Sequence, residues 1–131
     1  MKKKVVICNS AIFHKEAEEW KRKLEEERYE VIKIPEHNIK SLKEYQIGHT
    51  KHYKKIAEAD ILLVLNLEKN EIANYIGPSV FAEMAFAIGL NIALGKQIEI
   101  FCLNPLPQNL SYSDELDKWK ELGWIKIWKE K

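Results

Sequence analysis

An open parallel α/β sheet wound on both faces by helices is the fold class this 131-residue sequence predicts. Strand-like apolar runs alternate five times with helix-like segments, and the strongest run, residues 60–66, is apolar on both faces, as a central strand between two helical layers must be. The length suits one domain, residues 1–131, that removes about two-thirds of its unfolded surface from water. By analogy with other five-stranded sheets of this size, the strand order expected is 2-1-3-4-5.

Each element follows from its local pattern. Lys4-Val5-Val6-Ile7-Cys8 is a β-branched run of the buried-strand type, ended by Asn9-Ser10. The period then changes: Phe13, Ala17, Trp20 and Leu24 recur at helical steps, with charged residues filling the other face. Residues 29–34 form a second strand, stopped by Pro35. Residues 35–48 read as a mobile loop with a loose helical turn at Ile39, Leu42 and Tyr45, and a loop of that length tends to border a binding site. Thr50 then caps a one-faced helix through Tyr53, Ile56 and Ala57 that leads into the central strand.

Residues 79–95 are apolar on nearly all sides, so the sequence predicts a helix buried all round. Gly77, free to take strained dihedrals, and Pro78, suited to the first helical position, mark its start. Its single ionisable side chain is Glu83, and a carboxylate in such surroundings costs several kcal/mol unless something pairs with it or uses it. It is either a functional acid or a structural carboxylate bonded to amides or a partner subunit. A strand at 98–102, a loop at 103–111, a short helix capped by Ser111 or Ser113 and closed by Gly123, and an edge strand at 124–128 complete the chain. Trp124 and Trp128 are expected to pack on the Trp119 helix, with an interface as the other use.

The charge balance, 21 Lys and Arg against 20 Asp and Glu, gives a net +1 and no field to gather a nucleic acid polymer or an anionic membrane. The basic lead runs into only four apolar residues before Asn9, which is a strand rather than a leader, and no apolar stretch is long and unbroken enough to span a bilayer. A cytoplasmic protein is expected, with Cys8 and Cys102 as free buried thiols. His49 and His52 have a metal-like spacing but lie in a Lys-rich stretch without a second ligand pair, so they read as surface histidines, and no metal or cofactor is expected. Neither a Gly-x-Gly-x-x-Gly fingerprint nor a phosphate-loop lysine occurs.

In a sheet of this order, ligands bind beyond the carboxyl ends of the strands, where strand order reverses. That places Asn9, Ser10, Asn66, Tyr75, Gly77, Ser79 and Asn104 around Glu83 as candidate substrate-binding residues. A lone Asn at a strand end is ordinary turn chemistry, but three around one buried carboxylate argue for a polar pocket.

Several of these stretches together resemble the nucleoside 2-deoxyribosyltransferase superfamily in order and spacing: Ile7-Cys8-Asn9-Ser10, residues 59–66, Asn74-Tyr75-Ile76-Gly77, Glu83, Ala87, Gly95-Lys96 and Leu103-Asn104-Pro105. The resemblance implies a flavodoxin-like homo-oligomer that cleaves or transfers the N-glycosidic bond of deoxynucleosides or their 5′-monophosphates, with Glu83 as nucleophile. In retaining glycoside chemistry such a carboxylate forms a covalent sugar ester through an oxocarbenium-like state. A position near a helix N-terminus would favour the ionised form that attack requires. The chain departs from the family pattern where Asn66 and Gly77 replace two Asp residues, Val80 replaces a Thr, and Ile7 or Cys8 replaces a Tyr. Without those acids, a nucleotide-preferring hydrolase with its phosphate on Ser10, or a non-catalytic nucleotide-binding regulatory module, fits better than transfer between free nucleosides. Tyr75, Asp114 and Glu115 are the candidates for protonating the leaving base.

Overall fold

A computed structural model describes residues 1–129. Strand β1 (Lys4–Cys8) is followed by a 3-10 turn at Ala11–Phe13, helix α1 (His14–Glu26), β2 (Glu30–Lys33), α2 (Leu42–Glu58), β3 (Ile61–Val64), α3 (Pro78–Leu94), β4 (Glu99–Cys102), α4 (Ser113–Glu121) and β5 (Lys126–Ile127). All strand pairs are parallel and the order is β2-β1-β3-β4-β5, the doubly wound α/β fold that the alternation predicts. Cys8 pairs with Val64 and Val64 with Cys102, so the carboxyl ends of the three central strands finish level and open onto one edge.

The side-chain period of two sorts each strand between two cores. Val5, Ile7, Ile61, Leu63 and Leu65 face α1, where Ala17 and Leu24 are buried. Val6, Cys8, Leu62, Val64, Ile100 and Cys102 face the layer built from α2, α3 and α4. Both cysteines are buried and unbridged. Among the described residues no helix is long and apolar enough to cross a membrane.

Four local expectations need correction. Helix α2 starts at Leu42, not near Thr50: the Ser41 hydroxyl accepts from the Glu44 amide at 3.1 Å while the Glu44 carboxylate accepts from the Lys40 amide at 2.8 Å, a reciprocal cap that replaces the second half of the expected loop by helix. Helix α3 is not buried all round. Val80, Glu83, Met84, Ala87 and Ile88 form the one buried stripe, while Ile92 and Leu94 are 62% and 70% exposed, because only one side of the helix can rest on a single sheet.

Gly77 is plainly extended, at φ −78° and ψ 170°; the left-handed residue of that turn is Asn74, at φ 57°. Glycine at 77 makes room for Tyr75 instead: a Cβ there would sit 3.2 Å from its ring, which would have to give by a few tenths of an ångström. Finally, Trp128 does not pack on α4. Trp128 meets the edge of Phe101 at 5.2 Å on the α1 face, Trp124 is 41% exposed, and Trp119 stacks on Phe81 at 4.9 Å. At the start of α4 the Ser113 hydroxyl accepts from the Leu110 amide and donates to the Pro107 carbonyl, and Gly123, at φ 78°, closes the helix as expected.

Candidate functional site

A cleft of about 300 Å³ opens at the carboxyl edge of the sheet, between the loop after β1, the residues before and within α2, and the start of α3. Glu83 lies in its wall one turn and a half into α3, only 6% exposed. Asn9, Ser10, Tyr75, Gly77 and Ser79 line the same cleft. The turn through Asn74 brings Tyr75 back over Gly77, and Pro78 starts the helix at once, so the Glu83 carboxyl is delivered by a short, stiff segment.

Asn66 and Asn104 are not in the cleft. They clasp each other: the Asn66 side-chain amide donates to the carbonyls of Asn104 and Pro105 at 2.9 and 3.0 Å, the Asn104 amide donates to Asn66 Oδ1 at 2.9 Å, and the Asn104 side chain donates to the Asn66 carbonyl at 3.0 Å. Those bonds tie the ends of β3 and β4 together. Asp114 and Glu115 are exposed on α4 and do not line the cleft in this chain, whereas Tyr75 does.

His52, expected at the surface, is 4% exposed. Its Nε2 lies 3.3 Å from the Cys8 Sγ and 3.6 Å from Glu83 Oε1, and Cys8 also hydrogen-bonds to Glu83. Burial lowers the imidazole to about 3, reinforced by the charges of Lys33 and His49, so at neutral pH His52 is a neutral ring and its approach to Glu83 is not an ion pair. Burial likewise raises the Glu83 carboxyl to about 7, against the smaller opposing effects of the Cys8 hydrogen bond and Lys33. The apolar surroundings therefore outweigh the helix N-terminus that was expected to hold Glu83 ionised. The Cys8 thiol is pushed well above its usual range, by burial first and by Glu83 second.

Two further details of the cleft involve Lys69, to which the sequence did not point, and Asn9, to which it did. Lys69 donates to the Ser10 hydroxyl at 2.8 Å and stands 5.3 Å over the Tyr75 ring, bringing a cation to the cleft. Asn9 is 7% exposed, its amide nitrogen donates to the Ser10 carbonyl at 2.7 Å, and its Oδ1 is buried without a partner among the described residues. An orphaned buried acceptor costs on the order of 1–3 kcal/mol, and in a cleft wall it is a place for a ligand's donor. No family model matches the chain, and no curated protein does.

Proposed function

We propose that the protein cleaves the N-glycosidic bond of deoxynucleosides or deoxynucleoside 5′-monophosphates, in the manner of the nucleoside 2-deoxyribosyltransferase superfamily its sequence resembles. The observation that carries this reading is Glu83 itself, a nearly buried carboxyl aimed into a cleft of about 300 Å³ whose wall also holds the unpartnered Asn9 oxygen. A Glu83 oxygen attacks the anomeric carbon, the bond to the base nitrogen breaks, and its electron pair leaves with the base, which takes a proton from Tyr75 or water. Water, or a second base, then displaces the Glu83 carboxylate from the sugar. Asn9 Oδ1 accepts from a sugar hydroxyl, and a 5′-phosphate rests against Lys69 and Ser10. That lysine is what supports the monophosphate as substrate. The protein works as a homo-oligomer, a reading supported by the apolar face that α3 leaves uncovered.

A second reading, a non-catalytic nucleotide-binding regulatory module, is favoured by the raised carboxyl of Glu83, which burial keeps partly protonated. Incubation with each deoxynucleoside and its 5′-monophosphate, followed by chromatography for free base, separates the two. Base release that disappears in Glu83→Gln is the expected result. Nucleotide binding without release, unchanged by Glu83→Gln, would replace the enzyme by the regulatory module.

A further inference from the structure

We infer that Cys8, His52 and Glu83 form a binding site for a zinc-class divalent cation, with its fourth coordination position facing the cleft. The three donors come from separate rigid elements, the end of β1, the middle of α2 and the second turn of α3. Cys8 and His52 are 44 residues apart in sequence, yet Sγ and Nε2 approach to 3.3 Å, His52 Nε2 and Glu83 Oε1 to 3.6 Å, and all three donor atoms lie within 4.8 Å of one another. A tetrahedral zinc ion with bonds of about 2.0–2.3 Å sets its donors roughly 3.3–3.6 Å apart.

The chemistry of the set agrees with that geometry. A thiolate, an imidazole and a carboxylate select zinc or cobalt over magnesium or calcium, which prefer oxygen alone. All three residues are buried, so a dication balanced by one thiolate and one carboxylate is the combination that leaves no net charge among them. Lys33, the lysine whose charge is felt by His52 and Glu83, is drawn aside by the Ile34 carbonyl at 2.8 Å and Glu36 at 3.6 Å. His52 and Glu83 both line the cleft while Cys8 does not, so the thiol is at the base of the site and the open side is the solvent side. Binding releases the thiol proton, and the carboxyl proton where Glu83 carries one, to solvent.

This site does not depend on the glycosidase reading. A held ion engages the lone pair that Glu83 would direct at a sugar, so the metal-loaded protein is expected to lose base release and the chelator-treated protein to keep it.

The test is cobalt(II), then zinc, added to metal-stripped full-length protein. One cobalt per chain, with tetrahedral d–d bands and a thiolate charge-transfer band displaced by zinc, is the expected result. Cys8→Ser should abolish the charge-transfer band, and His52→Ala and Glu83→Gln should each weaken zinc binding by about 10–100-fold or more. Circular dichroism checks that each variant folds; if Cys8→Ser does not, Glu83→Gln, of nearly the same shape, decides the matter. Absence of the charge-transfer band in the wild type would overturn the site. So would zinc affinity indifferent to these substitutions, which would put the ion elsewhere, for instance at the stacked pair His14 and His37.

Discussion

At the scale of single residues the cleft is governed by two buried groups that titrate in opposite senses. Glu83 goes from about 4.5 unfolded to about 7 folded, so it binds protons more tightly in the native state, and its contribution to stability falls as pH rises between those values. His52 goes from about 6.5 to about 3, binds protons less tightly when folded, and destabilises as pH falls from 6.5 towards 3. Over the shared window, about 4.5 to 6.5, the two slopes oppose each other. In chelator, the urea midpoint of the wild type should therefore stay nearly level there, while that of Glu83→Gln should climb with pH. Parallel profiles for the two proteins would show that Glu83 does not titrate as described. The partners facing this pair are Cys8, Lys33, His49 and Tyr53. His52 was legible in principle: Gly48, His52 and Ile56, at steps of four, are the buried stripe of α2. Spacing to His49 drew attention to the wrong neighbour, since the partners of His52 are set by the sheet and not by its own helix.

At the scale of elements, strand cores were readable because continuous Val, Ile and Leu runs have few other uses, and boundaries were less so. The start of α2 was written in Ser41-Leu42-Lys43-Glu44, a capping-box spacing. It was obscured because the apolar residues of the first turns do not face a core: Leu42 is 83% exposed and Tyr45 and Ile47 also face solvent. With no packing to hold that end, the cap should matter. Ser41→Ala is expected to lower the stability measured by urea unfolding by about 1 kcal/mol, and no change would mean that the first turns of α2 are held by something other than this serine. The Asn66–Asn104 clasp makes a contrasting case, in which a polar signal at two strand ends was read as a ligand site and serves the backbone instead. Asn66→Ala leaves the half-buried Asn104 amide and two carbonyls without their partner, so a loss of about 1–3 kcal/mol is expected. Nucleotide affinity of the folded variant should remain within about twofold, the Asn66 side chain being no part of the cleft lining. A selective loss of affinity would return Asn66 to the site.

At the scale of the whole molecule, alternation of elements was enough to anticipate a parallel sheet, and the convergence of strand ends enough to anticipate where a cleft would open. Which helix faces meet solvent was beyond it, because α3 carries apolar residues on both its sheet-facing and outer sides. That excess has a physical consequence. Ile92 and Trp124 border one depression at the carboxyl end of α3, next to the exposed Leu94, and an apolar patch of this kind on a chain with a net charge of only +1 favours self-association. A second copy is the economical partner, since a two-fold axis lets the same patch cover itself. Light scattering coupled to gel filtration should accordingly give the mass of a dimer or a higher assembly. Ile92→Lys, which places a charge at the patch centre without touching the buried stripe of α3, should shift the protein to a 15.4 kDa monomer while its circular dichroism stays unchanged. A wild-type monomer at high concentration would remove self-association. An oligomer indifferent to Ile92→Lys and Trp124→Ser would move the contact to another face, with the exposed Leu42 and Ile47 of α2 the next surface to probe.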